Sequence, residues 1–352
     1  MKILGIESSC DETAAAVVEN GYHLISSTVA SSMDLHIQYG GVVPEVAARS
    51  HIEVIIPVLE ETLENAKSNW SDIDAIGVTY GAGLSGSLLI GVLSARTLAI
   101  ALNKPLYAIN HVEAHVYANF LTSSDVAGLI MPPSQPAFPM LAIIVSGGHS
   151  QLALFRNHFD YTLLGQTQDD AIGEAFDKVA KILGLPYPGG PSIEKLAKTG
   201  DSKAYKLPKA KMPGYDFSFS GPKTAVLRVA QAEVGENYDF PSIKLPERLN
   251  LAQKANIAAS FERSAFETIV NKAKRAYEEY SPASVVLAGG VAASQTLRNM
   301  LSEAIPIKLS YPDPRLCTDN AAMVATLGYY KHSLGQTPAD PFTLDVAPSL
   351  SM

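Results

Sequence analysis

The chain contains one short pattern twice, and this repetition constrains its fold more than any other feature. An apolar strand runs into a polar turn of small residues and returns as a second apolar strand, in ILGIESSCDETAAAVV (residues 3–18) and again in AIIVSGGHSQLALF (residues 142–155). Each copy is typical of a β-hairpin. Because strand and helix patterns alternate elsewhere, the fold class is α/β. One hairpin at the start of each half predicts a duplicated fold that grips a ligand between its halves.

Length also favours two domains, because 352 residues exceed what one hydrophobic core usually supports. A proline-rich stretch without periodicity follows the first half, and it is typical of a linker or surface loop. We therefore predict an N-terminal lobe at residues 1–122, a linker at 123–139, a C-terminal lobe at 140–320 and a C-terminal helix at 321–352 that returns toward the first lobe.

The composition predicts a cytoplasmic protein without membrane contact. The most apolar run, SLLIGVLSARTLAIAL, contains Arg96 and several small residues, so we expect a buried helix rather than a membrane span. The first residues are too acidic, and their apolar stretch is too short, for a signal peptide. Cys10 and Cys317 are the only cysteines, which gives no disulfide framework and fits a reducing compartment.

The segment NHVEAHVYANF (residues 110–120) places two histidines one helical turn apart. On a helix His111 and His115 share a face, whereas Glu113 points about 200° away from His111. Metalloproteases need the order H-E-x-x-H, which puts a general base beside the metal. The order here is H-x-E-x-H, so that base is missing. Two such histidines also pack or cap without a metal, and a metal site needs a third ligand from elsewhere.

The segment CTDNAAM near the end of the chain offers that third ligand. Thr318 is a candidate N-cap of the last helix, and Asp319 would then lie in its first turn. An aspartate there is favoured by the helix dipole alone. Its carboxylate is also a suitable ligand to complete a metal site.

A basic segment stands out from the acidic average of the chain. The whole chain has a net charge of −8, but residues 195–228 contain eight lysines or arginines against two aspartates, a local charge of +6. Such a run is either a solvated loop or a patch that holds a phosphate backbone and an unpaired base. The candidate lysines and the aromatic residues interleaved with them are Lys203, Lys206, Lys209, Lys211, Tyr205, Tyr215, Phe217 and Phe219.

Taken together, nine segments resemble the family of tRNA threonylcarbamoyladenosine transferases over residues 2–330. They are GIESSCDET, GGVVPEVAARSH, GAGLSGSLLIG, NHVEAH, VSGGHSQL, GEAFDKVAKILGLPYPGGP, FSFSGPKTA, LAGGVAAS and CTDNAAM. The resemblance implies a duplicated RNase-H-like fold of the actin and sugar-kinase superfamily, with two lobes around a nucleotide cleft. It also implies an acyltransferase that moves the threonylcarbamoyl group from L-threonylcarbamoyl-AMP to N6 of the adenosine 3′ of the anticodon in ANN-decoding tRNAs, releasing AMP.

The resemblance also implies the site residues. The metal ligands are His111, His115 and Asp319, and the ion is Fe²⁺, one per subunit, or alternatively Zn²⁺. The substrate-binding residues are Val145, Ser146, Gly147, Gly148, His149, Asp177, Gly190, Glu194 and Ser294. Ser294 stands where the family often has asparagine, and Ala82 where proline is common. The candidates for taking a proton from the incoming amine are Asp11, Glu12 and His149. Implied partners are tRNA, a homologous protein of the same fold and a small ATPase.

Two other functions compete with the transferase. An ATPase or small-molecule kinase of the same fold would use the glycine turns for ATP, including the Gly-Gly turn in SVVLAGGVAAS. Such a kinase uses a catalytic aspartate with Mg²⁺ and would have no use for His111 and His115. A non-catalytic scaffold should have lost the histidine pair, which this chain keeps.

Overall fold

The structure is a computed structural model that describes all residues, 1–352, and divides them into two compact units. Unit 1 comprises Met1–Pro136 and Ser310–Met352, and unit 2 comprises Ala137–Leu309. Residues 310–320 thus belong to unit 1, whereas the sequence-based boundary lies after residue 320. The sequence-based division stays a proposal.

The strands are β1 (Lys2–Glu7), β2 (Glu12–Glu19), β3 (His23–Ser31), β4 (Ala75–Gly81), β5 (Leu106–Asn110), β6 (Ser123–Ser124), β7 (Met140–Val145), β8 (Ser150–Asn157), β9 (Asp160–Gln166), β10 (Ser284–Ala288) and β11 (Leu309–Ser310). The helices are α1 (Met33–Ile37), α2 (Pro44–Asn65), α3 (Ser85–Leu102), α4 (His111–Tyr117), α5 (Ile172–Leu183), α6 (Gly189–Ala197), α7 (Ser220–Glu233), α8 (Leu245–Arg248), α9 (Leu251–Tyr280), α10 (Gln295–Ala304) and α11 (Ala321–Ser333). The predicted α/β class is confirmed.

Both predicted hairpins are confirmed. Strands β1 and β2 pair antiparallel, as do β7 and β8. Each hairpin adds a third antiparallel strand on one side and a parallel strand on the other, which gives the sheet orders β5-β4-β1-β2-β3-β6 and β11-β10-β7-β8-β9. The same strand order is therefore built twice, as the sequence repeat predicts.

In unit 1 the first sheet is covered by helices on both faces. Ile6 of β1 faces Gly91 of α3, and α3 packs beside α2. On the other face, a Cβ on Gly5 would lie only 2.7 Å from the backbone nitrogen of Ala325 and closer still to the carbonyl of Ala321. Only glycine lets α11 approach β1 this closely. Gly5 therefore fixes the position of the start of α11, beside Asp319.

Helix α3 is long and apolar enough, by length and composition alone, to cross a membrane. It instead lies against β4 and α2, with Leu88, Val92 and Ala95 buried. The helix is therefore not a membrane span, and its apolar face is explained by the core of unit 1.

The predicted start of the last helix is wrong by two residues. The N-cap of α11 is Asn320, not Thr318, and its side-chain oxygen accepts from the backbone N–H of Met323. Its amide group also donates to the carbonyls of Leu316 and Thr318. Asparagine is at least as good a cap as threonine, and here it also ties down the preceding turn. Asp319 thus lies just before the helix.

Unit 2 packs its helices around an aromatic cluster. Phe176 of α5 is buried against Phe261 and Phe266 of α9, with ring centroids 5.0 and 5.3 Å away. Val179 and Leu183, one and two turns further along α5, are also buried, so one face of α5 is apolar and packed. Helix α10 begins after Ser294, whose hydroxyl accepts from the backbone N–H of Leu297.

Candidate metal centre and substrate site

Helix α4 begins immediately where β5 ends, because Asn110 is both the last strand residue and the helix N-cap. Its side-chain oxygen accepts from the backbone N–H groups of Val112 at 2.9 Å and Glu113 at 3.2 Å. All seven residues of α4 are buried. The two histidines therefore emerge from a short, capped helix inside unit 1, with their ring centroids 4.7 Å apart.

Asp319 lies against both histidines. Its Oδ1 is 3.2 Å from Nε2 of His115 and 3.5 Å from Nε2 of His111. One ligand atom from each of the three residues lies within 4.8 Å of the others. Within unit 1, the structure thus brings together three side chains from two segments that are far apart in the sequence.

The three side chains fit a divalent transition-metal ion. Both ring nitrogens of His115 are buried and make no hydrogen bond, although Nε2 lies 3.2 Å from Oδ1 of Asp319. A buried polar group without a hydrogen bond is costly unless something else binds it. Two imidazoles and one carboxylate are a donor set that Fe²⁺ and Zn²⁺ use, and three protein ligands leave coordination positions open. A bound ion between these side chains would therefore satisfy the buried Nε2 of His115.

The carboxylates that follow β1 belong to the same cluster of charges. Burial, together with the negative charges of Asp319 and Asp11, raises the pKa of Glu12 to about 10. A dication beside Asp319 would oppose this shift. Glu12 therefore lies within electrostatic reach of Asp319, but with a pKa of about 10 it is protonated near neutral pH and could take up a proton only beside such a dication.

Glu113 has different neighbours from the two histidines. Burial raises its pKa to about 7, and the charge that opposes this shift comes from Lys331 of α11. Its Oε1 is buried without a hydrogen-bond partner. Glu113 therefore interacts with the last turn of α11, whereas Asp319 precedes the first turn of that helix, in line with the helical spacing.

Sequence reasoning missed Glu7, the last residue of β1. Its side chain is fully buried and accepts hydrogen bonds from the Thr79 hydroxyl at 2.6 Å and from Nδ1 of His111 at 3.1 Å. Burial alone would raise its pKa, but His111 and these hydrogen bonds lower it. The available signal was an ionisable residue inside the apolar strand KILGIE.

In unit 2, the turn of the second hairpin carries the predicted substrate loop. Within it, the N–H of Ser146 donates to the carbonyl of His149 at 2.8 Å, and the N–H of His149 donates to the Ser146 hydroxyl. Val145 is buried at the end of β7, whereas Gly147 and Gly148 are exposed. An added Cβ on either glycine would meet no atom within 4 Å. The loop is therefore internally fixed, and its glycine backbone is accessible.

The other predicted substrate residues lie around α5, α6 and α10 of unit 2. Asp177 accepts from the N–H of Gly189 at 2.6 Å, which ties α5 to the start of α6, where Gly190 lies. Oε1 of Glu194 accepts from the N–H groups of Gln295 and Thr296, at the start of α10. Glu194 and Ser294 thus both cap α10, a structural use that the sequence did not indicate.

The basic segment is only partly as predicted. Lys203, Lys206, Lys209 and Lys211 are all exposed. Lys209 forms an ion pair with Glu267 of α9. The expectation that Tyr215, Phe217 and Phe219 stack on a base is wrong, because all three are buried. Tyr205 is half-buried, and burial raises its pKa to about 12, helped by Glu233.

Comparison with known proteins decides the family. A family model described as tRNA N6-adenosine threonylcarbamoyltransferase matches residues 23–326. A protein of that name from Thermomicrobium roseum is 50% identical over 338 residues, covering 94% of this chain and 92% of its own length. The chain belongs to this family. Another tRNA N6-adenosine threonylcarbamoyltransferase, from Dehalococcoides mccartyi, is 46% identical over 353 residues and covers 100% of this chain and 99% of its own.

A solved structure supports the fold independently. Component A of the (R)-2-hydroxyglutaryl-CoA dehydratase of Acidaminococcus fermentans superposes with a TM-score of 0.51 at 15% identity, covering 95% of this chain and 99% of its own. The two chains therefore share one fold over nearly their whole lengths. As a member of the tRNA N6-adenosine threonylcarbamoyltransferase family, the chain is an acyltransferase, and an ATPase or kinase function is not favoured.

Proposed function

We propose that this acyltransferase moves the threonylcarbamoyl group of L-threonylcarbamoyl-AMP to N6 of the adenosine 3′ of the anticodon in ANN-decoding tRNAs and releases AMP. The observation that carries this proposal is the cluster of His111, His115 and Asp319 in a chain of this family. A kinase of the same fold has no use for such a cluster.

The donor is a mixed anhydride, so its carbonyl carbon is already activated. The N6 amine forms the new C–N bond, the C–O bond to the phosphate breaks, and AMP leaves with that electron pair. N6 must lose one proton in the process. The protein therefore has to orient two substrates and stabilise charge rather than supply a nucleophile of its own.

We propose that His111, His115 and Asp319 hold one Fe²⁺ per subunit, with Zn²⁺ as the alternative. Such an ion, when bound, supplies a Lewis acid with open positions for phosphate or carbonyl oxygens. The protein's own part is to hold the two buried imidazoles and the carboxylate close together. Asn110 does this by capping α4, and Asn320 does it by capping α11.

Residues of unit 2 would bind the adenylate. The backbone of Ser146, Gly147, Gly148 and His149 offers N–H groups to an anionic oxygen, and the two exposed glycines allow close approach. Asp177 and Glu194 each use one carboxylate oxygen within the protein, which leaves the other to accept from a ribose hydroxyl. Gly190 also lies open, with no atom within 4 Å of an added Cβ.

An exocyclic amine is a weak nucleophile, so a group must take its proton late in the reaction. Glu12 is a candidate because it lies within electrostatic reach of Asp319, Asp11 is a candidate because it is hydrogen-bonded to Glu12, and His149 is the third. The exposed Lys203, Lys206, Lys209 and Lys211 would contact tRNA phosphates. We expect the protein to work in the cytoplasm with a homologous partner of the same fold and a small ATPase.

The test is to incubate the purified protein with L-threonylcarbamoyl-AMP and unmodified tRNA, and to follow both AMP and modified adenosine. The proposal predicts equal amounts of AMP and modified adenosine. When tRNA is omitted, it predicts no rapid release of AMP. ATP turnover without tRNA modification would instead favour the kinase or ATPase function.

A further inference from the structure

The carboxylate of Glu7 is held from three directions inside unit 1. The backbone N–H of Ser9 donates to Oε1 at 2.6 Å, and the hydroxyl of Thr79 donates to Oε2 at 2.6 Å. Oε2 also lies 3.1 Å from Nδ1 of His111. The side chain has no exposed surface. A buried carboxylate is tolerated only when such partners surround it, so its orientation is fixed.

This fixed acceptor determines which nitrogen of His111 carries the hydrogen. A neutral imidazole has one N–H, and the partner of one nitrogen decides the state of the other. An ionised carboxylate can only accept a hydrogen bond, so Nδ1 must be the donor, and Nε2 keeps its lone pair whenever the imidazole is neutral. Nε2 is the nitrogen that faces Asp319. The hydroxyl of Ser9 also lies 3.1 Å from Nδ1, but a hydroxyl can donate or accept and does not impose a tautomer.

We propose that Glu7 is a positioning residue for the metal centre, which holds His111 in the tautomer with hydrogen on Nδ1 and so presents Nε2 to the ion. The proposal rests on the proposed metal site. It concerns only one of the two histidines, because Nδ1 of His115 has no hydrogen-bond partner. Some carboxylates accept a hydrogen bond from the nitrogen of a ligating histidine that does not bind the metal. Loss of such a carboxylate typically lowers metal affinity by about 10- to 100-fold.

The variant Glu7→Gln keeps the shape of the side chain, but an amide has one accepting oxygen and one donating NH₂ group, whereas the carboxylate only accepts. If the amide oxygen stays toward Thr79 and His111, the amide NH₂ meets the N–H of Ser9. If the amide turns over, its NH₂ faces Nδ1 of His111, which must then accept. The hydrogen would move to Nε2 and block the ligand atom. The first orientation keeps the acceptor for Nδ1 but sets two donors face to face at Ser9, and the second reverses the tautomer, so glutamine cannot replace the carboxylate without a cost.

The experiment measures Zn²⁺ affinity by competition with a chromophoric chelator, in the wild type and the variant. We expect Glu7→Gln to bind Zn²⁺ about 10- to 100-fold more weakly. The matched control is Glu113→Gln, because Glu113 is also a buried carboxylate near the two histidines but acts on Lys331. Its Zn²⁺ affinity should equal that of the wild type. Thr79→Val, which removes one donor to Glu7 and leaves its charge, should give a smaller loss.

A second readout reports the tautomer directly. Histidine-labelled, metal-free protein is studied by ¹⁵N NMR above pH 9, because burial alone would lower the pKa of His111 but Asp319 and Glu7 raise it to about 9. His111 should carry its hydrogen on Nδ1 in the wild type and lose that preference in Glu7→Gln. Unchanged Zn²⁺ affinity together with an unchanged tautomer would overturn the proposal, and if Glu7→Gln does not fold, Thr79→Val takes its place. A wild type that binds no Zn²⁺ or Fe²⁺ would instead contradict the proposed function, and the tautomer would still test the role of Glu7.

Discussion

Oδ1 of Asp319 lies 3.2 Å from Nε2 of His115, although one residue precedes the last helix and the other lies in α4. Two local features produce this contact. Asn110 starts α4 directly at the end of β5, and Asn320 starts α11 directly after Asp319. Gly5 lets α11 approach β1 closely. The candidate centre therefore depends on helix ends, which leads to the first prediction.

Gly5→Ala should weaken the metal centre without touching a ligand. The new methyl group would collide with the backbone at Ala321 and Ala325 and push the start of α11, and Asp319 with it, away from the histidines. We expect a loss of roughly 1–3 kcal/mol in the free energy of unfolding, as overpacking usually causes, and a lower Zn²⁺ affinity. The control is Gly221→Ala in α7, where an added Cβ meets nothing within 4 Å. Equal Zn²⁺ affinity in the two variants would contradict the account.

Reversing Lys206 and Lys211 to glutamate should weaken tRNA binding and flatten its salt dependence. Both side chains are exposed, whereas Lys209 is left unchanged because it pairs with Glu267. Each lost phosphate contact should lower the slope of log K against log salt by about 0.7 to 0.9. The control is the same reversal at Lys244 and Lys308, which are exposed outside the basic segment. A loss of AMP binding alongside tRNA binding would mean that the segment is structural.

Substitution of Ser294 should lower the free energy of unfolding more than it lowers the affinity for AMP. Its hydroxyl caps α10 by accepting from Leu297, so Ser294→Ala should cost about 1 kcal/mol in the free energy of unfolding. Ser294→Asn should retain that stability, because asparagine is an equally good cap. If Ser294→Ala unfolds like the wild type but binds AMP more weakly, the side chain contacts the nucleotide and the capping account is wrong.

Glu262 of α9 should make the stability fall as the pH rises. Burial, with a contribution from Glu194, raises its pKa to about 7 in the folded state, against an ordinary value of 4.5. Below pH 4.5 the carboxyl group is protonated in both states and costs nothing. Above pH 7 it is ionised in both states and the full cost, roughly 1–3 kcal/mol, is present. Glu262→Gln should therefore raise the melting temperature at pH 8 and change it little at pH 4. Equal shifts at the two pH values would contradict this.

The sequence predicted the features that depend on local periodicity. The two hairpins and the shared face of His111 and His115 follow from spacing alone. The start of α11 was misplaced because both Thr318 and Asn320 are good caps, and only the tertiary contacts of Asn320 with the preceding turn decide between them.

Other features depended on contacts that no local pattern contains. The role of Glu7 requires Thr79 and His111, which come from two other elements. The burial of Tyr215, Phe217 and Phe219 follows a period of two, which was present in the sequence but was outweighed by the surrounding lysines. In this segment the alternation of aromatic and polar residues predicted side-chain burial better than the density of lysines did.

The most direct test of the central claim compares His115→Ala with Glu113→Gln in the assay of AMP release and adenosine modification, with metal content measured on the same samples. His115 contacts Asp319, whereas Glu113 acts on Lys331. The account predicts that His115→Ala loses most of its metal and its transferase activity but still binds tRNA, and that Glu113→Gln keeps its metal and most of its activity. An inactive Glu113→Gln with full metal content would contradict it and restore a catalytic glutamate of the hydrolase type.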